Sequence, residues 1–174
     1  MVVLLVKMLM AIPDRCTGCG RCEEACSFEH FNIIDPSLSA IHVVRLENEP
    51  LDAPTFCIEC GLCAMPGVCP ENAIYRDPNT YAVIIDRNKC DGCTNCIVVC
   101  PYGVITLDHI EKKAVKCDLC GGDPQCVKAC PEGALAYLEA NDAAYYKRYF
   151  FAELQKKGMV PIVPYPSPRT REAI

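Results

Sequence analysis

The chain opens on an apolar run from Met1 to Pro13 broken by a single charge, Lys7, which reads as a strand leading into the segment that begins at Arg15. Further on, Ala73-Ile-Tyr-Arg, a turn at Asp77-Pro-Asn-Thr, and Tyr81-Ala-Val-Ile-Ile-Asp predict a β-hairpin. Val104-Ile-Thr-Leu and Lys113-Ala-Val-Lys repeat that hairpin. Each apolar strand start follows a polar or glycine-bearing turn: Glu71-Asn-Ala-Ile74, Tyr102-Gly-Val-Ile105 and Glu132-Gly-Ala-Leu135. From Asn141 to Gly158 the spacing of Tyr145, Tyr146, Tyr149, Phe150, Phe151 and Leu154 predicts a helix, which could lie back on the rest of the chain. The proline-rich Val160-Pro-Ile-Val-Pro-Tyr-Pro-Ser-Pro cannot continue it or add a central strand, and so reads as an extended arm suited to gripping a partner or a second copy.

Composition narrows the class. At 174 residues and 51% hydrophobic the chain can bury a core, as one compact domain or two small ones fused. Its net charge is −5, divided into −8 over residues 1–140 and +3 over 141–174, with no basic stripe of the kind that binds nucleic acid. The start lacks the basic n-region and cleavage site of a secretory signal and any twin-arginine pair. No apolar run reaches the ~20 residues of a membrane helix. The expectation is a cytoplasmic protein, a setting in which clustered cysteines point to metal more often than to disulfides.

Sixteen cysteines fall into four combs with none left over. Cys16, Cys19, Cys22 and Cys26, and likewise Cys90, Cys93, Cys96 and Cys100, have the C-x2-C-x2-C-x3-C spacing of bacterial ferredoxin runs. Cys57, Cys60, Cys63 and Cys69 widen the last gap, and Cys117, Cys120, Cys126 and Cys130 widen the middle one. Cysteines three apart on a short loop can wrap three corners of a cubane, while the fourth reaches a different cluster. Three combs end in Cys-Pro, which turns the chain after its last ligand. Eight disulfides are a poor alternative because such close cysteines cannot all find partners of the right geometry. Zinc usually takes cysteines in pairs. The spacing therefore predicts four [4Fe-4S] clusters held by all sixteen cysteines.

The four-comb arrangement from Arg15 to Leu138 resembles the dicluster-dicluster iron-sulfur subunits of molybdopterin and tungstopterin oxidoreductases and the polyferredoxins of some hydrogenases and carbon monoxide dehydrogenases. The resemblance implies clusters on Cys16, Cys19, Cys22 and Cys130; on Cys26, Cys117, Cys120 and Cys126; on Cys57, Cys60, Cys63 and Cys100; and on Cys69, Cys90, Cys93 and Cys96. In that family the second comb commonly reads C-x2-C-x4-C-x3-C-P, so Cys63 comes two residues early and Met65 stands where the usual ligand falls. A rearranged loop with the same four ligands is expected. Cys16-Thr-Gly-Cys-Gly-Arg-Cys-Glu-Glu-Ala-Cys-Ser-Phe-Glu-His30, followed by Asp35-Pro-Ser-Leu-Ser-Ala-Ile41, is most similar to the ferredoxin subunits associated with tungsten aldehyde oxidoreductases. That similarity implies a non-catalytic electron-transfer subunit serving a tungstopterin or molybdopterin partner and a second redox subunit. Hydrogenase, carbon monoxide dehydrogenase, molybdopterin reductase or formate dehydrogenase partners and a free polyferredoxin are the alternatives.

The expected fold is α+β: an outer dicluster module of residues 1–56 and 104–140, an inner one of 57–103, and a C-terminal helix and tail of 141–174. Arg15, Lys89 and Lys116 each precede the first cysteine of a comb and read as solvated surface cations, with tuning of cluster potential as the competing role. His30, His42 and His109 have no ligand vacancy to fill and read as ordinary polar or packing residues. Tyr75, Tyr81 and Tyr102 read as shields that keep water from the clusters. No nucleophile–base pair, phosphate loop or open metal site is present, and Gly18-Cys-Gly20 belongs to a cysteine loop.

Overall fold

The computed structural model describes residues 6–45 and 52–158. Its elements run β1 (Lys7–Ala11), α1 (Arg21–Phe31), β2 (Ile41–Arg45), β3 (Asp52–Phe56), β4 (Ile74–Arg76), β5 (Val83–Ile85), α2 (Asn95–Val98), β6 (Thr106–Leu107), β7 (Ala114–Val115), α3 (Gln125–Ala129), β8 (Leu135–Glu139) and α4 (Ala140–Lys156). The strands form antiparallel pairs: β1 with β8, β2 with β3, β4 with β5 and β6 with β7. A two-stranded pair is marginal in water by itself. Here the pairs are packed together with the cysteine loops.

The β4–β5 and β6–β7 pairs are the two expected hairpins, the second trimmed to two residues a side. Asp77 closes the first turn, accepting from the Thr80 amide and hydroxyl at 2.8 and 2.6 Å. Asp108 closes the second, accepting from the amides of Ile110, Glu111 and Lys113. β1 is the strand expected before the first comb, and its pairing with β8 sets Leu9 opposite Tyr137. The β2–β3 pair has no counterpart in the hydrophobic pattern. Pro54, which lacks an N–H, sits opposite Val43 in it, tolerated because each strand of a two-stranded sheet has a free edge.

Two apolar cores result. One gathers Leu9, Ile41, Phe56, Val104, Val115, Leu119 and Leu135 around Cys22, Cys26, Cys57, Cys117 and Cys126. The other holds Val83, Ile105 and Ala114 with Cys63 and Cys96, and Cys100 packs against both. Residues up to Glu139 make one compact unit and those from Ala140 a second, one residue before the expected start of the C-terminal segment. α4 covers the predicted helix, while the proline-rich arm lies outside the described residues. Among the described residues no helix is long and apolar enough to cross a membrane.

Candidate metal centres

The four combs share one backbone path. The residue before each second cysteine has a positive φ: Gly18 (68°), Glu59 (57°), Gly92 (77°) and Leu119 (61°). So does the residue after it: Gly20, Gly61, Thr94 and Gly121. Left-handed residues close to one another curl a loop into a concave nest of amide N–H groups, the form that cradles anions and iron-sulfur clusters. Side chains other than glycine are disfavoured at positive φ, so Glu59, Thr94 and Leu119 are held there by their surroundings. In the third and fourth combs an aspartate after the first cysteine braces the loop. Asp91 accepts from the Cys93 amide at 3.0 Å and Asp118 from the Cys120 amide at 2.8 Å. A further left-handed residue, Asn72, Gly103 or Gly133, stands three places after each Cys-Pro cysteine and starts the next strand.

All sixteen cysteines lie within the described residues and none is in a disulfide. One cavity, with about 330 Å³ of empty space, is lined by Cys16, Cys19, Cys22 and Cys130, closed by Val43, Pro54, Ala134 and Leu135. A second, of about 290 Å³, is lined by Cys69, Cys90, Cys93 and Cys96, with Ile74, Ile85 and Ala114. In each, three cysteines of one comb face the last cysteine of another. The remaining eight also lie close to cysteines of other combs. α1 packs on α3, and the charges of Cys26, Cys120 and Cys22 all act on Cys126. Cys126 in turn acts on Cys117. Cys63 feels Cys60 of its own comb and Cys100 of the third. Cys63 is buried on a short 3-10 turn, Leu62–Ala64, whereas Met65 is exposed.

Burial drives several of the thiols away from their anionic form. It raises Cys22, helped by the Glu23 carboxylate and by Cys130, to about 12. Burial with Cys26 and Cys120 raises Cys126 to about 12, and burial with Cys90, Cys63 and Cys93 raises Cys96 to about 11. Four soft donors converging in an apolar pocket suit a multivalent cation that stabilises them all as thiolates, which is the chemistry of a cluster of iron ions. Amides already point at several sulfurs. Ala73 and Ala134 donate to Cys69 and Cys130, each four residues back, at 3.3 and 3.2 Å, and Ala40, Glu59 and Ala114 donate to Cys26, Cys57 and Cys90 at 3.4 to 3.5 Å. Such N–H···S bonds stabilise anionic sulfur.

Known proteins carry the same pattern. Sequence profiles described as the 4Fe-4S dicluster domain match residues 15–74 and 51–140. The chain belongs to the 4Fe-4S dicluster family. A Pyrococcus furiosus relative, the polyferredoxin-like subunit of an aliphatic sulfonate oxidoreductase, is 36% identical over 87% of this chain and 88% of its own. An uncharacterized ferredoxin of Methanocaldococcus jannaschii is 30% identical over 91% and 88%. The Escherichia coli electron transport protein HydN is 31% identical over 66% and 75%. The observed strand pairs and short helices have the α+β character expected of dicluster ferredoxins.

Several residues of this dicluster chain stand where the sequence did not put them. Lys116 is no surface cation: its side chain is 1% exposed, paired with Glu59 at 3.1 Å, and donates to the carbonyls of Val83 and Cys117. Burial disfavours its ammonium, but Glu59 and the nearby Cys57 outweigh that and hold its pKa above the ordinary lysine value. Arg15 and Lys89 are exposed as expected. His30 departs from an ordinary polar role. Its Nε2 lies 3.9 Å from Cys120 Sγ and 3.5 Å from Asp118, and despite burial its nearness helps hold the Cys26 thiol below its ordinary pKa. Together with Asp118 and Cys120 it forms a group of donors within 4.8 Å of one another. The signal was present, because Cys22, Cys26 and His30 recur every four residues along one face of α1. His42 pairs with Glu23 at 3.8 Å and His109 with Asp35 at 3.7 Å, as polar residues do. Tyr75, Tyr81 and Tyr102 are all exposed, which speaks against the expected shielding role.

Proposed function

We propose that the sixteen cysteines hold four [4Fe-4S] clusters and that the chain passes single electrons between a catalytic oxidoreductase subunit and a second redox partner, with no catalysis of its own. The ligand sets are Cys16, Cys19, Cys22 and Cys130; Cys26, Cys117, Cys120 and Cys126; Cys57, Cys60, Cys63 and Cys100; and Cys69, Cys90, Cys93 and Cys96. The observation that carries this reading is the pair of apolar cavities in which three cysteines of one comb meet the last cysteine of another. A bound [4Fe-4S] cluster supplies a one-electron couple. The chain's own part is to fix four sulfurs per pocket, to exclude water with residues such as Leu135 and Ile85, and to aim amides at sulfur.

The near full-length match to a relative named as the polyferredoxin-like subunit of an oxidoreductase supports a dedicated catalytic partner. The finer reading, a tungstopterin aldehyde oxidoreductase working in the cytoplasm, rests on the likeness of Cys16–His30 and Asp35–Ile41 to the ferredoxin subunits of such enzymes. Iron and sulfide analysis joined to an EPR-monitored redox titration tests the clusters. About sixteen irons and four reducible centres per chain are expected. Eight irons or fewer, or centres that cannot be reduced, would overturn the reading. Purification from the native source with tungsten and molybdenum analysis of what accompanies the chain decides the partner.

A further inference from the structure

Lys116 ties together parts of the chain that are far apart in sequence. Its ammonium contacts Glu59 Oε1 and Oε2 at 3.3 and 3.1 Å and donates to the carbonyls of Val83 and Cys117, so its donors are fully used. Glu59 sits between Cys57 and Cys60 and accepts from the Val83 amide at 2.6 Å. One buried cation thus joins the second comb, the β4–β5 hairpin and the fourth comb. Its charge acts on the thiols of Cys57, Cys63 and Cys117. On the ligand sets proposed above, Cys57 and Cys63 belong to one cluster and Cys117 to another, in the other module.

We propose that Lys116 is a potential-setting residue that makes the two clusters flanking the joint between the modules easier to reduce than they would be without its charge. The inference rests on those ligand sets. Each reduction adds one negative charge to a centre already bound by four thiolates. A fixed positive charge in a medium of low polarity stabilises that added electron, and the Coulomb gain falls with distance. The pairing carboxylate opposes the effect, less strongly than Lys116 acts at Cys57 and more strongly at Cys117, so the two charges pull the same centres in opposite directions and removing either one alone exposes the other. Stability alone does not call for a lysine here, since a buried ion pair is often no better than apolar residues of the same volume.

The test is an EPR-monitored redox titration of the full chain with Lys116→Met and Glu59→Gln variants, each checked for iron content. Lys116→Met should shift two of the four midpoint potentials down, Glu59→Gln should shift the same two up, and the other two should stay in place. Cys57→Ser and Cys117→Ser, each altering one centre, identify the pair. Shifts of the same sign in both variants, equal shifts of all four centres, or no shift would overturn the inference, since a purely structural ion pair predicts no opposition of sign. Should Lys116→Met lose its clusters, Glu59→Gln decides alone: an upward shift confined to two centres supports the role and its absence refutes it. A wild-type chain with fewer than four reducible centres would instead refute the ligand sets.

Discussion

Asp108 offers the most direct measurement of how the hairpins serve the metal pockets. Its side chain is fully buried and accepts from the amides of Ile110 at 2.9 Å, Glu111 at 2.5 Å and Lys113 at 3.2 Å, and from Arg87 Nη2 at 3.0 Å. The turn it closes delivers the Ala114 amide to Cys90 Sγ and, two residues later, Lys116 to the joint. Asp108→Ala removes three amide acceptors worth about 1 kcal/mol each in net terms. The amides near exposed Ile110 regain water, and Arg87 keeps Glu111 at 3.1 Å so that its lost contact adds little, which puts the loss at about 2 to 3 kcal/mol. Because about 1.4 kcal/mol is a factor of ten, the hairpin should open roughly 30 to 150 times more often.

Bound clusters break two-state unfolding, so native-state amide exchange is the proper assay, and the amides of 110, 111 and 113 are where the change should appear. Burial raises the Asp108 pKa, but the Glu111 amide, Arg87 and the Lys113 amide outweigh it and leave the pKa below the ordinary value. A depressed carboxyl contributes fully above its unfolded pKa of about 3.9 and loses that contribution only as pH falls through the folded value. The gap between wild type and variant should therefore be flat from about pH 8 to pH 5. Exchange within twofold of wild type at all three amides, or a gap that shrinks across that range, would refute the reasoning.

Gly92→Ala should disrupt the third comb, since a Cβ there would lie 2.3 Å from the Lys112 carbonyl oxygen, whereas Gly103→Ala, with nothing within 4 Å, should cost only the left-handed strain of about 1 kcal/mol; iron retention after gel filtration separates the two. Cys60→Ala should lower iron from about sixteen to about twelve per chain if one cluster is lost, or to about fifteen if it is left with three irons, and loss of all iron would show that the pockets are not independent. His30→Ala removes a ring 3.9 Å from Cys120 Sγ and should shift one midpoint potential while leaving the other three, a result read in the same titration.

The thiol spacing made the comb boundaries legible, because three corners of a cubane impose their own geometry on a short loop. The hairpins from Ile74 and Thr106 were legible for another reason: apolar alternation and turn residues are local. The β1–β8 pairing is not local, and nothing in Lys7–Ala11 names Leu135–Glu139 as its partner. The β2–β3 pair was hidden because Pro54 demotes its strand by every local rule. Lys113 and Lys116 look alike in the hairpin sequence, and only the placement of Glu59, Val83 and Cys117 around Lys116 makes one of them a buried charge. Exposure of Tyr75, Tyr81 and Tyr102 was equally beyond reach, since an aromatic beside a cysteine loop fits a shield or a surface position.

The early Cys63 shows how the fold absorbs a change in spacing. A cysteine moved two places along an extended loop would keep its side but carry its sulfur roughly 6 to 7 Å along the chain, away from the pocket. Here a 3-10 turn over Leu62–Ala64, entered through Gly61 at a φ of 86°, brings Cys63 inward and leaves Met65 exposed. Only a residue free to take the left-handed form enters such a turn at low cost, and Gly61 stands where Gly20, Thr94 and Gly121 stand in the other combs. The conserved element among the four loops of this chain is thus the pair of left-handed residues flanking the second cysteine, and the third sulfur is positioned by whatever turn follows. Spacing variants are tolerated after that point, as in the second and fourth combs: the first, third and fourth combs carry the third cysteine on an α-helix, and the second carries it on the 3-10 turn.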